Sequence, residues 1–589
     1  MKKKSNINEI FAFALHNHKK NNLKTAEKFY KKVLNVSPNH FNSVYLLGSL
    51  LLQVKKYDLA IKLLQKAIQI QPNHSDSYNN LGNVMLELGE FTKAINCYEK
   101  AIKIKPNQAD AYYNYGIAQK KLGELRKSIS YYEKAIQINP HYLNVHNNLG
   151  LVFQQLGEYQ KAINCYKKEI QIQPNHAGAH YNLGLVYADL GKYEKAVNWY
   201  EKSIQIQPIN ANAYYNLGNV MLALGEFTKA INCYEKAVKY EPKNLEYYHS
   251  LSLLKKEILD KNLKSKVNKI MKKENFERNN LAYGNFLLSK YEFNKKNYEE
   301  EFQYLLKGHS HYFQAQKENF EKLIEYVMNV LPKINKLVDV SKLRKNSKKR
   351  DIQIKPIFIV GVPRCGSTLV EKVIASGSKY IPAGEETGIL SSYIKKQIFQ
   401  KKRLTLKKED FETQLFEKYE QKELVKEKSN YTFTDKSLEN FFYISLIKEI
   451  FPKAKVINCR RNELSSIMSI LQNIQVKNPW AHDVENIFKY FDIYIRKIDN
   501  FHKIYPNFIY ELKYEKLVNS PEEESKKLMK FCELPWDKKC LEFYKREDLV
   551  SKTASNIQIR KAIFKHSPDK YLPYKKFLEP YGKKYSWFN

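Results

Sequence analysis

Residues 72–106 read PNHSDSYNNLGNVMLELGEFTKAINCYEKAIKIKP, and the proline that closes this stretch lies 34 residues after the one that opens it. The same interval separates Pro38, Pro72, Pro106, Pro140, Pro174, Pro208 and Pro242. Within each period one pattern returns. Leu-Gly stands at Leu81-Gly82, Leu149-Gly150, Leu183-Gly184 and Leu217-Gly218; a small residue follows at Ala94, Ala162, Ala196 and Ala230; an aromatic follows four later at Tyr98, Tyr166, Tyr200 and Tyr234. A fixed period of this length means a stacked repeat architecture.

Each unit reads as two antiparallel helices. Gly82 and Ala94 stand where the helices must approach closely, Tyr98 and its equivalents fill the gap between neighbouring repeats, and each Pro ends a unit where a helix cannot continue. The pattern resembles the tetratricopeptide repeat, which implies an all-α solenoid. Six full periods run from about Pro38 to Tyr240, and residues 7–37, with Ala26 and Tyr30 in register, read as a capping repeat. Cys97, Cys165 and Cys233 share one repeat position and read as small apolar packing residues rather than metal or redox groups. Asn79-Asn80, Asn147-Asn148, Asn182 and Asn216 have two readings: donors and acceptors for an extended peptide in a concave groove, or solvated polar positions. Beyond Leu251 the strict period is lost. The stretch 281–308 reads as a degenerate helix pair, and 341–350 as an exposed basic linker.

Composition excludes several classes. The chain has 589 residues and a net charge of +37, with +13 over 1–250 and +24 over 251–589, so no segment owns the excess. Of 99 cationic residues only 11 are Arg, so the basicity reads as a general drift toward Lys and not as a specific nucleic-acid surface. Where Arg persists, planar bidentate recognition is the expected reason. No apolar run reaches the roughly 18 residues that span a bilayer, and the first residues are too polar for a signal peptide. Seven Cys stand singly, without metal-ligand spacing. A soluble, cytoplasmic protein is expected.

A different pattern begins at 356–376, PIFIVGVPRCGSTLVEKVIAS. A β-branched run, a Gly-rich turn and a helical pattern in succession predict a buried parallel strand feeding a helix. The turn fits G-x-x-x-x-G-x-[ST] from Gly361 through Gly366 to Thr368, with Ser367 where a nucleotide triphosphatase has Lys. Backbone amides at the helix start still cradle an anion, and Arg364 supplies a cation with a planar fork. Without the lysine the loop is poorly suited to a magnesium-dependent kinase or ATPase. A second strand, AKVINCRRNELSSIMS over 454–469, ends in Arg460-Arg461 and presents Ser469 eight residues after Arg461. Adjacent arginines at a strand's carboxyl end argue for an oxyanion ligand at the mouth of an α/β sheet.

Loop, Arg-to-Ser spacing and tail together resemble the sulfotransferase superfamily, in particular the bacterial tetratricopeptide-repeat sulfotransferases and, at the active site, the protein-tyrosine sulfotransferases. The resemblance implies a tetratricopeptide solenoid over 1–245, a helical continuation and linker over 246–350, and an α/β, P-loop-like sulfotransferase domain with a parallel sheet over 351–589. It implies 3′-phosphoadenylyl sulfate as co-substrate, with no metal. Arg364, Cys365, Gly366, Ser367 and Thr368 would hold its 5′-phosphosulfate, and Arg461 and Ser469 its 3′-phosphate. Tyr514 falls at the nucleotide-contact position, and Ser555 and Lys570 in the loop that folds over the nucleotide. Lys436, in Thr434-Asp435-Lys436, matches the catalytic lysine; the base falls on Glu386 by the tyrosine-sulfotransferase pattern or Glu385 by the bacterial one. Gly388 replaces a family Arg that grips a tyrosine peptide, and Ser437 stands where a Pro is usual.

The expected function is therefore sulfuryl transfer to an acceptor hydroxyl, on protein tyrosine or sugar, with the repeats recruiting the acceptor or another protein partner, or mediating homo-oligomerisation. The competing expectation is a repeat scaffold with a non-catalytic nucleotide-binding domain. Binding of 3′-phosphoadenosine 5′-phosphate followed by release of labelled sulfate to an acceptor separates the two.

Overall fold

The computed structural model describes residues 2–272, 277–334, 354–379, 381–401, 408–425, 432–546, 562–563 and 570–588. They form two compact units, 1–217 and 218–589.

The first unit is a stack of helical hairpins. Helices Ser75–Glu87 and Phe91–Ile104 make the hairpin of the quoted stretch, and Lys2–Lys19 with Leu23–Val36 make the first. In that first pair Ala26 and Tyr30 are fully buried, as the register requires. The hairpin turn passes through Gly89 at φ +78°, a left-handed conformation that costs a glycine little. Close approach has a direct cause: a Cβ on Gly82 would lie 2.5 Å from Cε1 of Tyr98. The tyrosine thus fills space above the glycine of its own hairpin, and its ring also reaches Tyr115 of the next, with centroids 6.4 Å apart. The pairing repeats at Gly116–Tyr132, Gly150–Tyr166 and Gly184–Tyr200.

The asparagines bridge successive repeats. Asn114 donates to Asn79 Oδ1 at 3.1 Å and Asn182 to Asn147 Oδ1 at 2.9 Å. Asn80, Asn148 and Asn216 donate to the hydroxyls of Tyr45, Tyr113 and Tyr181 at 3.3, 2.7 and 2.7 Å. All span 35 residues, so one polar position per repeat ties the stack together. Cys165 is buried and Cys97 half-buried, consistent with packing roles.

The second unit joins helices to a four-stranded sheet. Strands β1 (Lys355–Gly361), β2 (Thr432–Asp435), β3 (Lys455–Arg460) and β4 (Ile509–Lys513) lie in the order β2-β1-β3-β4, all parallel. After Lys355 every β1 residue is buried, as a strand covered on both faces requires. The degenerate pair appears as helices Arg278–Asn294 and Tyr298–Ala315. One hydrophobic core runs from Ala282, Phe286 and Phe302 through the sheet residues Phe358 and Ile457 to Leu578 and Phe588. These helices are therefore built into the core that carries the sheet. The basic stretch 341–350 lies outside the described residues.

The strand order positions the site. The chain leaves β1 toward β2 on one side and leaves β3 toward β4 on the other, so the carboxyl ends of β1 and β3 flank the crevice where the order reverses.

Candidate active site

At the end of β1 the backbone turns through Gly361 at φ +154°, and a Cβ there would lie 2.7 Å from the Cys459 carbonyl oxygen and 2.9 Å from Cys365 Sγ. Arg364 takes φ +70°, left-handed and uncommon for a residue with a side chain. Gly366 follows at φ +95° and caps helix Ser367–Ala375; a side chain there would collide with the ring of Tyr514. The loop thereby points its amides and the helix start into the crevice.

Two guanidinium groups converge on it. Arg364 Nε donates to Ser469 Oγ at 2.9 Å. Arg461 donates to the Arg364 main-chain oxygen at 3.2 Å, and its guanidinium carbon lies 4.9 Å from the centre of the Tyr514 ring. Burial, and next the charge of Arg461, pull the Arg364 pKa below its ordinary value. Like charges held this close favour a bound anion. Arg364, Arg461, Ser469 and Tyr514, far apart in sequence, thus form one cluster, while Arg460 pairs with Glu463 at 3.1 Å.

Cys365 differs from its neighbours in the loop. Its side chain is 1% exposed and packs beside Cys459, so only its backbone can face a ligand. The neighbouring Cys459 thiol, the Ser367 amide and hydroxyl, and Lys436 draw its pKa down against burial, whereas burial pushes Cys459 up.

Across the crevice, β2 delivers Lys436, whose side chain is 1% exposed. Asp435 before it is fully buried and makes no surface pair with the lysine. It accepts hydrogen bonds from Thr387 and Tyr419 hydroxyls at 2.8 and 2.7 Å and from the amide and hydroxyl of Ser437 at 3.0 and 2.7 Å. Asp435 is a brace that sequence reading did not find. Segment 382–385 runs beside β2: Thr434 N donates to Pro382 O, Gly384 N to Thr434 O, and Lys436 N to Glu385 O, at 3.0, 3.0 and 2.8 Å.

This brace sorts the two glutamates. Glu385 sits at φ +46°, donates its amide to Glu371 Oε1 at 2.9 Å, and has its carboxylate 3.8 Å from Lys372 Nζ. Glu386 points the other way, with carboxylate oxygens 3.8 Å from Lys436 Nζ and 3.7 Å from Lys477 Nζ. Lys477 carried no sequence signal, being one lysine among many. Glu371, beneath, also accepts from the Thr434 hydroxyl at 2.7 Å, and burial raises its pKa.

A cavity of about 450 Å³ is lined by Arg364, Ser367, Thr368, Glu386 and Lys436 among others, while Arg461, Ser469 and Tyr514 stand outside its lining. Neither Glu385 nor Cys365 contributes to its wall. Lys570 is largely exposed, and partial desolvation of its ammonium and then the charges of Arg461 and Lys256 lower its pKa. Ser555 lies outside the described residues. Among those residues, no group of three or more His, Cys, Asp or Glu could hold a metal ion, and no helix is long and apolar enough to cross a membrane.

A repeat stack and a parallel sheet with an arginine-bearing crevice define a two-part protein, and comparison with known proteins gives each part a family. Residues 356–538 match the model of the sulfotransferase family. Tetratricopeptide-repeat models match 82–123, 152–191, 186–225, 211–244, 109–142 and 131–164, and a model of anaphase-promoting complex, cyclosome, subunit 3 matches 19–101. The chain has the architecture of a tetratricopeptide-repeat sulfotransferase: a repeat region followed by a sulfotransferase-family domain. An uncharacterized protein of Aquifex aeolicus (strain VF5) is 34% identical over 240 residues, 38% of this chain; the chain spans about a third (31%) of that relative's length. Solved structures similar to part of the chain include MamA, 29% identical over 28% of this chain and 95% of its own, TM-score 0.26. A tetratricopeptide repeat protein from Parabacteroides merdae is 20% identical over 42% of this chain and 98% of its own, TM-score 0.35.

Proposed function

We propose that the protein is a sulfotransferase that moves a sulfuryl group from 3′-phosphoadenylyl sulfate to an acceptor hydroxyl, on protein tyrosine or on a sugar. One observation carries the reading: an arginine-bearing loop, a buried lysine and a carboxylate share one cavity of about 450 Å³ beyond the carboxyl ends of β1 and β2.

The residues fit a nucleotide phosphorylated at two places. Gly366 leaves open the space that a side chain would take from Tyr514, and Arg364 and Arg461 supply fixed cations. Amides from Gly366 to Thr368, with Arg364, would hold the 5′-phosphosulfate; Arg461 and Ser469 the 3′-phosphate; Tyr514 the base; and Lys570 would contact the nucleotide from the C-terminal segment. When bound, the nucleotide supplies the sulfuryl group and a phosphate leaving group. The chain's own work is to orient and to move a proton. Glu386 takes the acceptor's hydroxyl proton, a contribution typically of about 10² to 10⁴ in rate. Lys436, held against Glu386 by the Asp435 brace, presents a fixed positive charge where negative charge develops, and Arg364 does the same on the loop side. Such preorganised donors act without reorganising during the reaction.

The repeat region, about residues 1–245, recruits the acceptor or a protein partner in this reading. Gly388, in the place of a family Arg, leaves the acceptor side without that arginine's grip on a tyrosine peptide.

The test is transfer of labelled sulfate from 3′-phosphoadenylyl sulfate into a cell lysate, with Glu386→Ala and Arg364→Ala as controls. Label appearing with the wild type and lost with both variants supports the reading; label unchanged in both variants removes it.

A further inference from the structure

The wall of the cavity opposite the loop is the segment Ile474–Asn478, which follows helix Glu463–Leu471 and includes Lys477 beside Glu386. Two buried histidines bond to this wall and to the helix end that leads into it. His309, on helix Tyr298–Ala315, has Nε2 2.8 Å from the Leu471 main-chain oxygen. His482 has Nε2 3.1 Å from the Gln475 main-chain oxygen. The two Nδ1 atoms face each other at 3.0 Å. The rings are 2% and 3% exposed, so water satisfies none of these contacts. Phe286 meets His309 edge-on at 4.9 Å, and Tyr312 and Phe320 stack on His482 at 4.6 and 5.6 Å.

Counting hydrogens decides what the pair is. A carbonyl oxygen only accepts, so each Nε2 must carry a hydrogen; an N···N contact at this distance needs one more between the Nδ1 atoms. That makes three N–H on four ring nitrogens. Two neutral imidazoles supply two, which leaves a bare nitrogen facing either a carbonyl oxygen or another bare nitrogen. Two imidazolium rings supply four, which sets two N–H groups head to head.

We propose that His309 and His482 share a single added proton and, in that state, act as positioning residues that pin the acceptor wall of the active site to the helical segment. The proposal rests on the sulfuryl-transfer reading only for what the wall faces; the proton count stands without it.

Burial opposes the charge, drawing His309 down to about 4 and His482, which also feels His309, to about 3. Three hydrogen bonds made only by the singly charged pair oppose that penalty. Among the described residues, the elements packed on the rings bring mainly aromatic groups. Titratable groups on those elements include Tyr312 itself; Glu301 on the same helix, engaged by Tyr574 and Gln472; His311, whose charge burial and then Arg278 disfavour; Lys317, Glu318, Glu321, Lys322 and Glu325 on the helix of Phe320; Lys290, Tyr291 and Glu292 on the helix of Phe286; Asp483, which caps helix Val484–Ile504; and Lys477 on the wall.

The experiment is nitrogen-15 NMR of the full chain labelled on histidine, with His309→Gln and His482→Asn assigning the signals. Three N–H on the pair at about pH 5, where an isolated histidine is charged and one depressed to 3 or 4 is neutral, is the expected result. Two or four N–H there overturns the proposal. Hydrogen exchange adds a readout that a merely structural role does not move. As pH rises and the pair loses its proton, protection of Gln475 to Asn478 should fall roughly 3- to 10-fold relative to Ile467 and Ile470, the value of one hydrogen bond. Gln at 309 keeps a donor for Leu471 but cannot share a ring proton, so H309Q should abolish the pH step while leaving 3′-phosphoadenosine 5′-phosphate affinity unchanged. A pH step that persists in H309Q refutes the pinning. Failure of the wild type to bind that nucleotide refutes the transferase reading instead and leaves the proton count intact.

Discussion

Replacing Gly366 by Ala tests the cradle at its tightest point. Gly366 sits at φ +95°, where an L-residue is strained by about 1–2 kcal/mol, and its new methyl would enter the space of the Tyr514 ring, an overpacking that typically costs about 1–3 kcal/mol. The loop then has to shift to relieve both, and the amides that follow it, at Ser367 and Thr368, no longer point into the crevice. If the whole cost falls on the ligand-ready loop, affinity for 3′-phosphoadenosine 5′-phosphate should drop roughly 30- to 3000-fold, measured by calorimetry. Removing the obstructing ring separates the two contributions. Gly366→Ala with Tyr514→Ala should bind better than Gly366→Ala with Tyr514 intact, because the collision is gone and only the backbone strain remains. The comparison is made against Tyr514→Ala alone, since that change also removes the face on which the Arg461 guanidinium rests. Wild-type affinity in Gly366→Ala, or no partial recovery in the double variant, refutes the reasoning that this glycine exists for its close approach to Tyr514.

Glu386→Gln keeps the shape of the side chain and removes its basicity, so turnover should fall about 10²- to 10⁴-fold with nucleotide affinity unchanged, while Glu385→Gln, turned toward Lys372, should change turnover far less; equal losses from both would contradict the sorting of the pair. In the repeat unit, Gly82→Ala puts a methyl against Tyr98 and should lower stability by about 1–3 kcal/mol in a urea melt, a loss that the smaller Tyr98→Leu on the same chain should partly offset. Burial raises the pKa of Glu371, so the folded chain binds more protons than the unfolded chain between the ordinary value of about 4.3 and the raised one, and stability declines as pH rises through that window. Glu371→Gln should therefore gain on the wild type from about pH 4 upward in unfolding experiments, and a difference between the two that does not vary with pH would show that Glu371 is not the group responsible.

How far the sequence reaches depends on how local each interaction is. The Leu-Gly, Ala and Tyr positions of a repeat meet within one hairpin, so Gly82 and Tyr98 announce their contact through spacing alone. The anion loop is equally local, a strand end and a helix start within a few residues. The spacing places Tyr98 between repeats; the ring fills its own hairpin first because Gly82 is the residue that leaves room for it, and it also reaches Tyr115 of the next repeat. Lys436 and Asp435, adjacent and opposite in charge, could have been a surface pair, and their burial with separate partners follows from β2 lying beside β1. Nothing in the spacing of Glu385 and Glu386 says which one faces the cavity. That follows from one left-handed residue and one hydrogen bond donated by the Glu385 amide to the carboxylate of Glu371, fourteen positions away.

The amino-acid order by itself determined the period of the repeats, the strand-loop-helix with its glycines, and the identity of the cations, because each depends on neighbours within a turn or two of the chain. Only the tertiary structure decided that Arg364 meets Ser469, that Lys477 stands beside Glu386, and that His309 faces His482 across 173 positions. Those contacts are made by the order of strands in the sheet and by helices sharing its core, and a packing arrangement leaves no periodic trace in the residues it brings together.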